Sequence, residues 1–538
     1  MIYEIYPRSF QDSNGDGIGD VNGIKQRLGY LERLGVDAIW IAPMYPSPQV
    51  DFGYDISDYR GIDPQYGTLA DFDALVAAAG RHHIRVLLDM VLNHTSDRHP
   101  WFIEAAASRS SARHDFYVWN DGKRVAAGQP LPPNNWVSLF GGSAWQYVPA
   151  VGQFYYHRFY PQQPDLNWRN SAVEAAMFAA MRFWLDRGVA GFRLDAIPEL
   201  FEDAQLRDEA VLGGTNAQGD PILTEVYTKN LPEVHGVMRR LRAMVDSYPD
   251  ERVLIGETYL PRTADLDAWY GGAQHDELQL AMDTLVGLGI KLDAATLRRL
   301  LGELDTEIHG SQPLLVFDNH DNVRSWDRFG DGVHNNEIAR IVAALLLTSR
   351  ATALIYQGQE LGQRTATPIR VEDVRDPIGI RGWPKEKGRD GQRTPLPWDD
   401  SPQAGFSSSS KTWLPVTADY PRVNVARERA DPGSLLNWYR RLIALRRTNP
   451  ALYSGRTIML DGDNPAVLSY ARVGPGHTVL VALNLSAQPA SVALGTAAAG
   501  LKGTRCHTLL SSPTHIAAAP GAQRLELPPY GVWVAGLE

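Results

Sequence analysis

Short apolar runs rich in β-branched and aromatic residues alternate with amphipathic helical stretches along most of this chain, and few folds accommodate that alternation. The run IYEIYPRSF is followed by a helical pattern with apolar Ile24, Leu28, Leu31 and Leu34, then by DAIWIAP, which makes one βαβ unit. Thr68 and Asp71 form a capping-box pattern ahead of a helix carrying Phe72, Leu75 and Ala79, and RVLLDMVLN follows. Further strands are expected at GFRLDAI, VLIGETY, LQLAMDTL, PLLVFDNHD and TALIYQGQE, with AAMRFWLDRG and EIARIVAALLLTS among the helices between them. Eight such units predict an α/β fold, a closed (β/α)8 barrel of the TIM type. An open doubly wound sheet is disfavoured because no early GxGxxG turn is present.

The pattern breaks in three places. Residues 95–167 are rich in aromatics and proline with little periodicity, which predicts a lobe inserted after the third strand. A second irregular insert is expected at about residues 362–432. Short β-rich runs such as TVLVALNLS and VWVAGL fill the last stretch, which predicts a C-terminal antiparallel β-sandwich over residues 453–538. The barrel is then assigned to residues 1–94 and 168–452.

A formal net charge of -10 and the absence of a basic stripe argue against nucleic acid or an anionic membrane as partner. The single cysteine, Cys506, excludes an intrachain disulfide framework and is compatible with a reducing compartment. The opening MIYEIYPRSF has no signal-peptide pattern, and IARIVAALLLTS is too short to span a bilayer, so a cytoplasmic monomer or homodimer is expected.

Four carboxylates stand where β-runs disfavour them: Asp89 in LLDMVLNH, Asp195 in GFRLDA, Glu257 in IGETY and Asp321 in VFDNHD. At the C-terminal ends of barrel strands they would converge on one mouth. Arg193, two residues before Asp195, shares its strand face. Several acids with one arginine suit a reaction that develops positive charge, and glycosidic cleavage does so, with one carboxylate ionised and another protonated. On this reading Arg193 holds Asp195 ionised, while apolar neighbours favour the neutral form of Glu257.

The motifs DMVLNH, GFRLDA, GETY and FDNHD, in that order, resemble the four signature regions of glycoside hydrolase family thirteen, the α-amylase superfamily. QPDLNW at residues 163–168 is similar to the marker of its oligo-1,6-glucosidase branch, which includes α-glucosidases. The resemblance implies Asp195 as nucleophile, Glu257 as general acid/base and Asp321 as transition-state stabiliser. It also implies a glucose pocket in which Asp55, His94, Arg193, His320 and Arg393 bind hydroxyls or orient carboxylates and Phe140 stacks on the ring. Asp89 is expected to support Arg193 or Asp195. The implied activity is exo-hydrolysis of α-glucosides such as maltose and short malto-oligosaccharides, with capacity for transfer to acceptor hydroxyls; a transglucosidase, a sugar isomerase or an oligo-1,6-glucosidase is the alternative. Relatives that prefer α-1,6 bonds typically carry valine after the nucleophile. Ala196 stands there, which points to α-1,4 preference. A transporter heavy chain of the same fold is disfavoured, since that class carries a membrane helix and has lost these acids.

DSNGDGIGD at residues 12–20 offers oxygens at alternate positions, from Asp12, Asn14, Asp16, the Ile18 carbonyl and Asp20. This spacing predicts a structural Ca2+ (or Mg2+) on the first βα loop. The alternative is an Asx-rich turn without metal. No organic cofactor is expected.

Overall fold

The computed structural model describes residues 1–125, 130–289, 291–503, 505–512, 516 and 524–538. Eight parallel strands close into a barrel: β1 (Ile2–Ile5), β2 (Ala38–Ile41), β3 (Arg85–Val91), β4 (Gly191–Asp195), β5 (Val253–Gly256), β6 (Leu280–Asp283), β7 (Leu314–Val316) and β8 (Thr352–Tyr356). Each strand pairs with its sequence neighbours, and β1 closes the ring against β8. The eight expected strands are all present, LQLAMDTL supplying β6.

Side-chain parity divides these strands between two cores. Ile2, Trp40, Leu87, Ile255, Met282, Val316 and Leu354 pack together inside the barrel. Tyr3, Ile39, Leu88, Leu194, Leu254, Leu315 and Ile355 belong to the shell beneath the helices. Counting by two from the inner set places Glu4, Asp89 and Glu257 on the inner face, and Leu194 in the outer shell turns its neighbours Arg193 and Asp195 inward. Gly191 opens β4 at φ 149°, where an added Cβ would lie 2.0 Å from the Val253 carbonyl oxygen. A side chain there would push β4 off β5 and with it the residues above.

The capping box forms as expected: Asp71 N–H donates to the Thr68 hydroxyl and Thr68 N–H to the Asp71 carboxylate. The first helical stretch differs from expectation. It breaks at Arg27 into Val21–Gln26 and Leu28–Leu34, and the second piece ends on left-handed Gly35. Between β3 and β4 lie a helix (Pro100–Ala107) and a three-stranded antiparallel sheet packed around Trp136, Trp145, Phe154 and Tyr156. A β-hairpin, Val211–Thr215 with Pro221–Leu223, follows β4 and was not expected. Its polar and glycine-rich sequence carries no clear alternation.

Beyond the helix Leu435–Thr448, a five-stranded antiparallel sheet faces a two-stranded one, with Leu480, Val492, Leu525 and Trp533 in the shared core. Among the described residues no helix is long and apolar enough to cross a membrane.

Candidate active site

Asp89 on β3 and Arg193 on β4 are register partners on adjacent strands, and both face inward. Arg193 Nη1 therefore reaches Asp89 Oδ1 at 3.0 Å and Asp195 Oδ1 at 2.5 Å, while its Nη2 reaches Glu257 Oε1 at 2.5 Å. The guanidinium is buried against the Trp40 ring, 4.9 Å from its centroid. One cation thus faces three carboxylates. Asp89 also accepts from Trp40 Nε1 and the Tyr54 hydroxyl, so it anchors Arg193 and does not face the pocket. With Oδ1 tied to Arg193, Asp195 keeps Oδ2 for the pocket. Glu257 Oε2 accepts the Ala196 N–H at 2.9 Å, and Ala196 sits in the left-handed region at φ 46°.

The expectation that Arg193 holds Asp195 ionised needs correction. Burial, with Glu257 and Asp89 adding to it, pushes Asp195 well above the usual carboxylate range against the pull of Arg193. Asp89 is pushed up to about 6, again by burial against Arg193. If all three acids ionised, this cluster would carry two uncompensated negative charges, so it holds a proton to higher pH than a lone carboxylate does. Asp321 behaves oppositely. Burial opposes its ionisation, but His320, Arg389, Arg393 and Arg193 together hold it well below the usual range. Burial lowers His320 itself to about 3, so near neutrality the arginines carry that effect.

Asp195, Glu257 and Asp321 line a cavity of about 380 Å3 together with Asp51, Tyr54, His94, Phe140, Tyr259 and Arg389. Asp51, Tyr54 and His94 are buried, whereas Tyr259 is 38% and Leu139 45% exposed, which distinguishes a closed end from a mouth. Leu139, Pro198, Ile378 and Tyr259 give the mouth an apolar lining.

Among the expected pocket residues, Asp55 departs from its role. Asp55 does not reach the cavity: it is fully buried, and its carboxylate accepts the Ser47 hydroxyl and the N–H groups of Val50 and Asp51. Asp51, four residues earlier, lines the cavity in its place and pairs with Arg389 at 2.6 Å. Arg389 also contacts Asp376 at 2.8 Å and Asp321 at 3.1 Å. Arg393, expected to bind hydroxyls or orient carboxylates, does the second only: Nη2 reaches Asp321 Oδ1 at 2.6 Å and Nε donates to the His320 carbonyl. Sequence reading missed Asp51 and Arg389 because DFGYD and RDGQR each offer two candidates four apart, and only the fold shows which reaches the cavity.

His94 lines the cavity, pushed down to about 3 by burial, with Nε2 near the Tyr54 carbonyl and Gln163. Gln163, in QPDLNW, also donates to Asp51 Oδ2, which ties the inserted lobe to the closed end. Phe140 lines the cavity and packs on Tyr160 at 4.3 Å. His320 lies behind the wall, between the Tyr6 and Tyr54 rings.

In the loop of residues 12–20, the Asp12 carboxylate accepts the N–H groups of Asn14, Gly15 and Gly17 and the Ser407 hydroxyl. Asp20 accepts from Ser13 and caps the helix at Gly23. Among the described residues no group of three or more His, Cys, Asp or Glu side chains is placed to hold a metal ion.

Residues 4–455 match the family model for the α-amylase catalytic domain, and residues 458–534 that for the C-terminal domain of maltogenic amylase. A probable α-glucosidase of Rhizobium meliloti is 43% identical, the match covering 91% of this chain and 89% of that protein. An oligo-1,6-glucosidase of Parageobacillus thermoglucosidasius is 38% identical over 90% of each. The crystal structure of the α-glucosyl transfer enzyme XgtA superposes with a TM-score of 0.90 at 41% identity, covering 100% of this chain and 98% of that one. With a closed eight-stranded barrel and a family model matched over most of its length, this chain belongs to the α-amylase family of glycoside hydrolases.

Proposed function

We propose that the protein is a retaining, exo-acting α-glucosidase that removes terminal non-reducing glucosyl units from short α-glucosides such as maltose and malto-oligosaccharides. The observation that carries this reading is the Arg193 guanidinium bridging Asp195 and Glu257 beside a cavity with one buried end. In the first step Asp195 Oδ2 attacks the anomeric carbon while Glu257 protonates the departing oxygen, giving a covalent glucosyl-enzyme. Glu257 then takes a proton from water, which displaces Asp195 and restores the α-configuration. Oε2 of Glu257 accepts the Ala196 N–H on one lone pair and keeps the other for this proton. Asp321, kept anionic by the arginines around it, stabilises the oxocarbenium-like transition state. Asp51 and Arg389 at the closed end bind hydroxyls of the terminal ring, which favours exo-action.

Transfer to an acceptor hydroxyl is the second reading, supported by the apolar mouth, which seats an organic acceptor at the expense of water. The loop of residues 12–20 is proposed to take Ca2+ or Mg2+ as a stabilising ion. Its donors are all oxygens, the chemistry a hard cation requires, and binding has to exchange at least the Ser407 hydroxyl on Asp12 for the ion. A cytoplasmic setting is proposed from the lone cysteine.

Trapping with a 5-fluoroglucosyl fluoride followed by peptide mass spectrometry is expected to label Asp195. Proton NMR of early maltose turnover should show α-glucose released from the non-reducing unit. A first product of β-configuration, or label on another residue, refutes the assignment.

A further inference from the structure

Glu4 lies fully buried in the barrel interior, out of contact with Asp195 and Glu257. Its Oε1 is 2.6 Å from His320 Nδ1 and 3.3 Å from the His320 backbone nitrogen, while Oε2 has no partner. No arginine or lysine is within ion-pair distance of Glu4 among the described residues; its one such partner is His320. On the other side of the imidazole, Nε2 is 2.8 Å from the Tyr54 hydroxyl and 3.4 Å from Asp321 Oδ2.

Counting hydrogens fixes the direction of this chain. Asp89 Oδ2 accepts from Arg193, Trp40 Nε1 and the Tyr54 hydroxyl, so it is an acceptor throughout. Tyr54 has one hydroxyl hydrogen, and Asp89 takes it. His320 Nε2 must therefore carry a hydrogen and donate it to the Tyr54 oxygen. In a neutral imidazole Nδ1 is then bare, and the short contact to Glu4 requires the proton to come from the Glu4 carboxyl.

We propose that Glu4, held as the neutral acid, is a positioning residue that locks His320 in the Nε2–H tautomer and so orients Tyr54 in the wall of the glucose pocket. This rests on the glucosidase reading only through its activity readout; the hydrogen on Nε2 follows from the contacts of Tyr54, and the bare Nδ1 from those contacts together with the burial of the pair. Burial acts in the same sense on both partners, raising the Glu4 carboxyl well above its usual range and lowering His320 to about 3. The other charged or titratable groups facing the pair are Arg193, Asp89, Asp321, Arg389, Arg393, Tyr6, Tyr54 and Tyr356. An orphaned Oε2 is tolerable as the carbonyl of a neutral acid and costly as part of a buried carboxylate.

The tautomer is read directly by 15N–1H correlation on enzyme labelled with [15N]histidine, the His320 signals being assigned by their loss in His320→Gln. The wild type at pH 7 should show a protonated Nε2 and a bare Nδ1. Glu4→Gln, whose amide can still donate to Nδ1, should keep that pattern and lie within about threefold of wild-type kcat/KM. Glu4→Met should let the ring change tautomer and lose about tenfold or more. A wild-type spectrum with Nδ1 protonated, whether Nε2 is bare or protonated as well, overturns the proposal even if the Met variant fails to fold. So does a folded Met variant with unchanged spectrum and kinetics. If instead the tautomer is as stated while Asp195 escapes trapping, the glucosidase reading fails and this one stands.

Discussion

Replacing Asp51 and Asp55 separately by asparagine distinguishes the residue that meets substrate from the one that shapes the loop. Asp51 lines the cavity and accepts from Arg389 and Gln163. Asp51→Asn keeps an acceptor but removes the charge that a substrate hydroxyl would meet. A lost charge-assisted hydrogen bond is worth about 1.5–3 kcal/mol, or roughly 10- to 150-fold in kcat/KM. Some stability should be lost as well, because an asparagine NH2 must face either Arg389 or Gln163, although Arg389 keeps Asp376 and Asp321. Asp55 presents the reverse case. Its two oxygens accept three donors away from solvent, and an asparagine there sets an NH2 group against one of them, costing about 1–3 kcal/mol of folding stability. Because one donor is the Asp51 N–H, some activity will follow the loop, but as a smaller loss with a lowered Tm. The assay is kcat/KM on maltose beside a thermal melt for each variant. If Asp55→Asn loses more activity than Asp51→Asn at unchanged Tm, the assignment of the two aspartates given above is wrong.

Three further outcomes are expected. Maltose should be preferred over isomaltose, and Ala196→Val should narrow the ratio by about 1–3 kcal/mol; because Ala196 has φ 46°, a β-branched residue there also strains the backbone, so an unchanged ratio or native preference for isomaltose removes the argument. Adding Ca2+ to chelator-treated enzyme should raise Tm, and Asp16→Ala should abolish that rise; a Tm indifferent to Ca2+ and Mg2+ leaves the loop of residues 12–20 as a self-satisfied Asx turn. Burial, aided by Glu360, pushes Glu428 up to about 8, so its folded pKa exceeds the unfolded value and its stabilising contribution, complete at low pH, is lost as pH rises toward 8, at about 1.4 kcal/mol per pH unit. Glu428→Gln should therefore raise Tm relative to wild type at pH 8 but not at pH 4.5, and an equal shift at both would refute this.

The alternation of β-runs and helices was sufficient to read the barrel, because each strand's parity is a local property: GFRLD sends Arg193 and Asp195 inward whatever surrounds it. The convergence of Asp89, Asp195 and Glu257 on one mouth was legible for the same reason, since they lie at strand ends whose register the barrel fixes. The hairpin after β4 and the choice between Asp51 and Asp55 were not legible. Both belong to loops, whose conformation depends on partners far away in sequence. Asp51 meets Arg389 across 338 positions, and Asp12 meets Ser407 across 395. Charge state was the other blind spot. Arg193 beside Asp195 reads as a simple ion pair in sequence, yet in space it also serves Asp89 and Glu257.

That sharing is what gives the site its chemistry. A guanidinium paired with Asp195 alone would leave a nucleophile with a depressed pKa and no reason for any neighbour to stay protonated. Spread over three acids from three adjacent strands, the same charge is too small to hold them all ionised, and Asp195 and Asp89 are both pushed above the usual carboxylate range. Asp321 stands outside the cluster, beside Arg393 and beside an Arg389 that it shares with Asp51 and Asp376, and so keeps its charge. The two behaviours come from one geometric fact: β3, β4 and β5 are neighbours in the barrel and share one arginine, while Asp321 follows β7, where the insert supplies two.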